Sequence, residues 1–188
     1  MLFGRVVPPF FGKNSRILKK RVDKGVSWVI MELGGGKWEK VEDKSMFMGE
    51  YSHALDEKGR LIIPAKFRPL LGQRFVIARV LDECLFVFPE KQWLSFEEKL
   101  KSLPVTDPKA RVFSRFVFSG AESCSLDKSG RFCIPPKLRA YAGINEEVTI
   151  IGNGDRIEIW SKKKWDSYLS KTEKSYQEFS EELAKLGI

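Results

Sequence analysis

Two short stretches of the sequence carry the same polar residues at the same spacing. Residues 55–68 have the sequence LDEKGRLIIPAKFR, and residues 126–139 have the sequence LDKSGRFCIPPKLR. In each stretch an Asp stands three residues before a Gly and four before an Arg, and an Ile-Pro pair follows. An Asp and a Gly at this distance can form a tight turn that presents the Arg. Neither stretch holds a nucleophile beside a base, so the pattern indicates binding rather than catalysis.

The remaining sequence offers little for catalysis or for a metal. His53 is the only histidine, and the three cysteines Cys84, Cys124 and Cys133 are far apart, with no CxxC pair. A zinc site built from Cys and His is therefore not expected, and the thiols are interpreted as buried and reduced. The glycines of residues 34–36 lack the Lys-Ser/Thr of a phosphate-binding loop. We expect no enzyme activity, no metal and no cofactor.

The two stretches belong to a longer internal repeat. Residues 49–68 and 120–139 share 10 identities in 20 positions, and LFVFPEKQW (85–93) is echoed by IEIWSKKKW (157–165). Two copies are too few for a solenoid, which needs about three or more repeats to close its core. The duplication therefore predicts two half-domains that pair with each other.

The residues of each copy predict a turn, a strand and a short helix in that order. An Asp that accepts backbone N–H groups, followed by a Gly with positive φ, suits a type I turn with a bulge. A Pro then ends the strand and starts the helix, since Pro loses no hydrogen bond at a first helical position. These structural residues are Asp56, Gly59 and Pro64 in the first copy and Asp127, Gly130 and Pro135 in the second.

Longer-range patterns predict the other elements. After each short helix come two β-rich runs and then a longer helix, and the GNGD link between EVTII and RIEIW is a hairpin signal. We expect the helix after Pro64 to be short because of Pro69, and the helix after Pro135 to end at Gly143. Helices are also predicted over 90–103, over 107–119 with Asp107 as the cap, and over 162–186.

Length and charge limit the possible classes of protein. The 188 residues suffice for one or two small domains, and no apolar run approaches the 18 or more residues of a membrane span. Residues 1–45 hold 10 Lys/Arg and 5 Asp/Glu, whereas the other 143 residues hold 23 and 20. Because the duplicated part is only mildly basic, a nucleic-acid hypothesis depends on where its charges lie. The start of the chain lacks the apolar core of a secretory signal, so a cytoplasmic location is expected.

The sequences MFMGEYSHALDEKGRLIIPAKFR and FSGAESCSLDKSGRFCIPPKLRAYAG resemble the MraZ family of bacterial regulators. The resemblance covers residues 46–188, and a doubled Asp-x-x-Gly-Arg-x-x-x-Pro is specific. The second copy departs from the fuller pattern, because Ser129 stands where the first copy has Lys58 and Lys128 comes one place earlier. The resemblance implies an α+β fold of two tandem swapped-hairpin (AbrB/SpoVT-like) β-barrel half-repeats with flanking helices and a pseudo-two-fold axis.

This interpretation divides the chain into five segments. They are a basic N-terminal extension (1–45), a first SpoVT-AbrB repeat (46–102), a connecting helix (103–119), a second SpoVT-AbrB repeat (120–160) and a C-terminal helix (161–188). The apolar seam of the last segment, which runs from Trp165 to Leu186 at spacings of four and three, predicts packing on its own barrel or on a neighbouring chain.

The resemblance also implies a DNA-binding surface. Arg60 and Arg131 would contact bases, since a guanidinium can take guanine O6 and N7 together. Four lysines would contact phosphates, namely Lys58, Lys66, Lys128 and Lys137. We expect Arg68 and Arg139 to pair with a carboxylate, Asp56 or Asp127 being candidates, and His53 to occupy a half-buried strand position.

The function implied is sequence-specific regulation of transcription. The family binds short G-rich direct repeats of double-stranded DNA in its own promoter, upstream of the cell-division and cell-wall gene cluster, and forms ring-like homo-oligomers. A cytoplasmic, nucleoid-associated protein without a membrane is implied. The alternative is an antitoxin-like protein-binding module of the same barrel fold. Such antitoxins typically carry one copy and a disordered tail, whereas this chain has two copies and a predicted C-terminal helix.

Residues 1–45 lie outside the resemblance and admit three interpretations. They are a basic DNA-binding arm, a disordered extension, or promoter DNA translated from a mis-annotated start upstream of Met46, and we favour the last. Val41-Glu42-Asp43 can be encoded with GGAGG, 8 nucleotides before the Met46 codon. Trp28-Val29 and Trp38-Glu39 must each encode the family's preferred TGGGN, 30 nucleotides apart, or three turns of about 10 bp. The gene sequence tests this hypothesis.

Overall fold

The computed structural model describes residues 15–22, 25–32, 39–41 and 46–184. Contacts within the chain divide it into two units, Met1–Ser45 and Met46–Ile188. In the first unit three antiparallel strands form a sheet in chain order: β1 (Ser15–Val22), β2 (Gly25–Glu32) and β3 (Glu39–Val41). The packing of the side chains in this unit lies outside what the structure describes, so the hypothesis on residues 1–45 stays a prediction.

The second unit contains the repeat, and each copy has the predicted order of elements. The first copy consists of β4 (Phe47–Ala54), β5 (Arg60–Ile62), α1 (Arg68–Leu71), β6 (Arg74–Arg79), β7 (Leu85–Pro89) and α2 (Glu90–Lys101). Helix α3 (Pro108–Phe118) connects the copies. The second copy consists of β8 (Ala121–Ser125), β9 (Arg131–Cys133), α4 (Pro136–Ala142), β10 (Glu147–Gly154), β11 (Arg156–Ser161) and α5 (Lys162–Ala184).

The strands of the two copies are intermixed in one antiparallel sheet. Its order is β4-β10-β11-β7-β6-β8, so the first strand of each copy pairs with a strand of the other copy. The centre of the sheet lies between β11 and β7, where Glu158 is opposite Phe86. The strands that follow the two turns, β5 and β9, form a separate antiparallel pair. Each copy is therefore completed by its twin, as the duplication predicts.

The sheet has a buried cluster on each face. Successive residues of β7 alternate between them, because neighbouring side chains of a strand point to opposite faces. Leu85 and Val87 belong to the cluster that also contains β5, β9, α1 and α4, whereas Phe86 and Phe88 belong to a cluster with residues of α2, α3 and α5. Because Leu61 of β5 and Phe132 of β9 are buried in the first cluster, the turns that precede these strands are anchored on that face of the sheet.

The β-barrel that the resemblance implies is not closed in the structure. The six strands make an open sheet, in which β4 and β8 each pair with one neighbour. The β5–β9 pair covers part of one face and joins neither edge. The reason is that β5 and β9 have only three residues each, because Pro64 and Pro135 follow closely and cannot donate to a strand ladder.

The helix ends follow the sequence signals. Helix α1 has four residues and contains Pro69 in its first turn, which confirms that it is short. Gly143 ends α4 in the left-handed conformation, at φ 65°. Asp107 caps α3, its Oδ1 accepting from the Lys109 N–H at 2.8 Å. These three predictions are confirmed because each depends on residues that are neighbours in the chain.

Candidate nucleic-acid interface

The first turn is held by a single carboxylate. Oδ1 of Asp56 accepts the backbone N–H groups of Lys58 and Arg60, both at 2.9 Å. Its Oδ2 lies 2.7 Å from Nε of the Arg60 side chain. The N–H of Gly59 donates to the Asp56 carbonyl at 2.8 Å, with Gly59 at φ 71°. Asp56 therefore shapes the turn and holds the arginine that leaves it.

The second turn repeats these contacts one by one. Oδ1 of Asp127 accepts the N–H groups of Ser129 at 2.8 Å and Arg131 at 3.0 Å, and its Oδ2 lies 3.0 Å from Arg131 Nε. Gly130 donates to the Asp127 carbonyl at 2.9 Å and has φ 76°. The replacement of Lys58 by Ser129 leaves this geometry unchanged because position 129 contributes only its backbone N–H.

Strand pairing brings the two arginines to one surface. In the β5–β9 register Arg60 is opposite Cys133 and Arg131 is opposite Ile62, while Leu61 and Phe132 between them are buried. Both arginine side chains are about one third exposed, 33% for Arg60 and 34% for Arg131. The two sets of contacts are thus related by an approximate two-fold axis through the strand pair.

The four lysines predicted to contact phosphates are all exposed. Lys58 and Lys128 lie in the turns themselves, and Lys66 and Lys137 lie just after the prolines that end β5 and β9. Pro64 accepts from the Phe67 N–H at 2.8 Å, and Pro135 is the N-cap of α4. The structure describes where these side chains lie; contact with DNA stays a prediction.

Arg68 and Arg139 do not pair with the turn carboxylates, so that expectation is wrong. Asp56 and Asp127 instead bind the arginines of their own turns. Arg68 Nε donates to the Ile63 carbonyl at 2.8 Å. The expectation failed because each Asp already binds the arginine four residues later in its own turn.

The hydrogen bonds of the turns alter the ionisation of their carboxyl groups. The backbone N–H of Arg60 is the largest cause that lowers the pKa of Asp56, followed within the turn by its side chain. In the same way, the backbone N–H of Arg131 lowers the pKa of Asp127. Both carboxylates are therefore charged at neutral pH, and they bind the guanidinium groups as ion pairs.

His53 and the three cysteines differ in their exposure to solvent. His53 is half-buried on β4, as predicted, and burial lowers its pKa, with Arg68 adding to the effect. Cys84 is buried and Cys124 half-buried, and burial raises the pKa of Cys124 to about 11. Cys133 is exposed, which corrects the expectation that all three thiols are buried. It alternates along β9 with the buried Phe132 and so points outward.

No group of three or more His, Cys, Asp and Glu side chains within the part of the chain that the structure describes could hold a metal ion. None of the helices in the described residues combines the length and the apolar character that a membrane-spanning helix needs.

Sequence reasoning missed the contact between each turn and the opposite copy. A Cβ built on Gly59 would lie 2.6 Å from Nη1 of Arg139, and a Cβ built on Gly130 would lie 2.7 Å from Nη1 of Arg68. The only signal was that both glycines and both arginines recur in the repeat. Which copy each arginine would contact depends on the strand exchange, which no local pattern encodes.

These features define the class of protein: a tandem-repeat α+β protein in which two paired turns present carboxylate-held arginines. The chain belongs to the MraZ family. The family described as "MraZ protein, putative antitoxin-like" matches residues 46–116 and again residues 117–186.

Relatives that match about three quarters of this chain carry one name. The transcriptional regulator MraZ of Halothermothrix orenii is 55% identical over 143 residues, which are 76% of this chain and 100% of the relative. The protein of that name from Natranaerobius thermophilus is 51% identical over the same shares. That of Desulforamulus reducens is 50% identical over 141 residues, 75% of this chain and 99% of the relative.

Proposed function

We propose that the chain is a sequence-specific DNA-binding regulator of transcription that contacts double-stranded DNA through its two turns. The observation that carries the proposal is the pair of turns on adjacent strands, each with an arginine held by its own Asp. The names of the relatives support it. The exchange of strands between the copies supports assignment to the swapped-hairpin type, and the protein would act on nucleoid DNA in the cytoplasm.

Each side chain has a separate role in this proposal. The Asp carboxylate takes Nε of Arg60 or Arg131, which leaves both terminal nitrogens of the guanidinium for the two acceptors of a guanine edge. Because the arginine is already ordered, less conformational entropy is lost on binding. The exposed lysines contact phosphates and fix the register on the duplex. We propose short G-rich direct repeats in the promoter of the cell-division and cell-wall cluster as the DNA.

The experiment is binding of a labelled duplex of the chain's own promoter DNA over a range of salt concentrations. Arg60→Ala and Arg131→Ala each cost about 1–3 kcal/mol and relax the preference at one base pair. Arg115→Ala is the matched control, since Arg115 is an exposed arginine on α3 outside the turns. If both turn variants stay folded and bind like the unaltered chain, the proposed interface is wrong.

We further propose that the chain acts as a homo-oligomer larger than a dimer. An apolar groove of about 490 Å³ is open beside α3, and Leu81 and Val112, which line it, are 54% and 66% exposed. Exposed apolar surface of this kind is typical of protein contacts. Several copies on repeated sites would multiply the few basic contacts of one copy. Val112→Glu should give a smaller species by light scattering and weaker binding to repeated sites; an unchanged mass contradicts this.

Antitoxin-like binding to another protein is the second candidate, and the description of the family favours it. The two candidates differ in the ligand of the turns. If this candidate is correct, the purified chain binds its promoter no more tightly than unrelated DNA. Arg60→Ala and Arg131→Ala then leave both affinities unchanged. A specific complex with promoter DNA excludes it as the main role of the turns.

The DNA-binding unit is proposed to be residues 46–188 alone. They form a separate unit by their contacts, and both matched segments lie within them. Deletion of residues 1–45 should therefore leave thermal stability and promoter affinity unchanged, measured by circular dichroism and by the binding assay above. Unfolding of the truncated chain, or loss of binding, would show that the extension takes part.

A further inference from the structure

The two arginines of the short helices lie against the turns of the opposite copy. Arg68 precedes Pro69 in α1 of the first copy, yet its guanidinium covers Gly130 of the second turn. Arg139 is in α4 of the second copy, and its Nη1 covers Gly59 of the first turn. Both glycines are buried. Because any side chain on either glycine would occupy the space of the guanidinium, each turn is packed directly under an arginine of its twin.

Hydrogen bonds tie Arg68 to the same turn. Its Nε donates to the Ile63 carbonyl at 2.8 Å, and the Ile63 N–H donates to the Gly130 carbonyl at 3.0 Å. Arg68, Ile63 and Gly130 thus form a closed set of contacts between the copies. On the other side the Ile134 N–H donates to the Gly59 carbonyl at a longer 3.3 Å. Arg68 is therefore anchored to the residue that binds the second turn, and its Cζ lies closer to Gly130 than that of Arg139 lies to Gly59.

We propose that Arg68 and Arg139 are positioning residues that act across the repeat. Arg68 holds the second turn, and with it Arg131, whereas Arg139 holds the first turn, and with it Arg60. The inference rests on the proposed function, because it concerns how the base-contacting arginines are presented. It predicts that a substitution of Arg68 in α1 weakens DNA binding at the half of the site that the second copy contacts.

Lysine separates positioning from a direct contact with DNA. Arg68→Lys and Arg139→Lys keep the positive charge, so they preserve a simple attraction to phosphate. They remove the planar group that covers the glycine and the Nε donor. A phosphate contact predicts affinity close to that of the unaltered chain, whereas positioning predicts a loss that lysine does not rescue.

The test uses a labelled duplex of the chain's own promoter and a set of duplexes with single base-pair changes. Arg131→Ala should weaken binding by about 5- to 150-fold and abolish discrimination at certain base pairs. Arg68→Lys should lose discrimination at those same base pairs, and Arg139→Lys, to a smaller extent, at those affected by Arg60→Ala. Because Arg68 and Arg131 then act as one unit, combining their substitutions should add little. Affinity and discrimination like those of the unaltered chain, or losses within the same copy, overturn the inference.

A measurement without DNA separates this inference from the proposed function. In the free protein, Arg68→Lys should speed amide hydrogen exchange in the second turn, at Gly130 and Arg131, and leave the first turn unchanged. Arg139→Lys should do the converse at Gly59 and Arg60. If exchange changes only in the turn of the substituted copy, or in neither, the inference is wrong. If Arg60→Ala and Arg131→Ala do not alter DNA binding, the proposed function fails, while the exchange result still decides the positioning.

Discussion

The turns of the first and second copies contain the same hydrogen bonds, whereas the strands and helices around them differ. The Asp–Arg contact is 2.7 Å in one turn and 3.0 Å in the other. By contrast, α1 has four residues and α4 has seven, and β4 has eight residues where β8 has five. The repeat thus keeps the geometry that presents an arginine and allows the supporting scaffold to vary.

The clearest divergence lies at the centre of the sheet. Phe86 and Glu158 are equivalent positions of the two copies and are opposite each other on β7 and β11. The buried Glu158 accepts from Asn153 at 2.8 Å, from Trp160 at 3.3 Å and from Arg156. Arg156 also lies over the Phe86 ring at 4.5 Å. The Arg156 guanidinium therefore contacts both Phe86 of the first copy and Glu158 of the second copy.

The largest expected effect comes from breaking this centre. Glu158→Ala leaves the buried Trp160 N–H without its acceptor and removes one of the two carboxylates that pair with Arg156, since Asp155 remains at 3.4 Å. A buried donor left without its acceptor costs about 1–3 kcal/mol, so we expect a loss near the upper end of that range in the free energy of unfolding in urea. Glu122→Ala, which removes an exposed glutamate from β8, should change it by less than about 0.5 kcal/mol. Equal losses for the two variants contradict the role of Glu158.

The glycines of the two turns provide the next comparison. Gly59 and Gly130 both have positive φ, and alanine there is strained by about 1–2 kcal/mol. Gly130→Ala should cost more than Gly59→Ala, because the new Cβ would meet the Nε and Cζ atoms of Arg68 rather than only the end of Arg139. Urea unfolding of both variants measures the difference.

Gly154→Ala is the control for those two variants. Gly154 has φ 66°, and nothing lies within 4 Å of a Cβ built on it. Its substitution therefore reports backbone strain alone and should have the smallest cost of the three. The expected order, from the largest loss in free energy of unfolding to the smallest, is Gly130→Ala, Gly59→Ala and Gly154→Ala. Another order would contradict the role given to the arginine contacts.

Exchanging the residues at one of the two turn positions that differ between the copies, Lys58 and Ser129, should have a smaller effect. Lys58→Ser should weaken promoter binding about equally for all sequences and reduce the dependence of log affinity on log salt concentration by about 1. Ser129→Lys should increase that slope by a similar amount. Lys99→Ser, on the exposed side of α2, is the matched control. Unchanged slopes for both turn variants would place these positions away from phosphate.

The smallest expected effect is the response of the two turn carboxylates to acidic pH. Because the pKa of Asp56 and of Asp127 is lowered in the folded protein, the order that these carboxylates give the turns is complete above the ordinary value of 3.8 and is lost as pH falls through their lower folded values. Carboxyl ¹³C shifts in NMR should therefore titrate below pH 3.8. Arg60→Ala should leave Asp56 below its ordinary value, since the backbone N–H of residue 60 is the largest cause. A midpoint at or above 3.8 in the unaltered chain contradicts the turn geometry.

The accuracy of the sequence predictions depended on the distance between the residues involved. The turns, the Asp107 cap and the Gly143 cap were predicted because their partners lie within a few residues. The contacts of Arg68 were predicted wrongly, since its guanidinium lies against Gly130, 62 positions away, and not against a carboxylate. Glu158 was missed because alternation along RIEIW suggests an outward side chain. The helix that covers this outer face comes later in the sequence, with Trp165 packed on Trp160.

The exchange of strands between the copies also determines when the protein can fold. Phe47 pairs with Gly154, so β4 has no partner in the sheet until about 100 more residues have been synthesised. At about 5–20 residues per second, a ribosome needs roughly 5–20 s for that length. During this interval β4 and β6 leave the ribosome with unpaired edges that are open to aggregation. The native sheet can therefore form only near the end of translation. A messenger RNA truncated within the second copy would release a chain that lacks strands of the sheet.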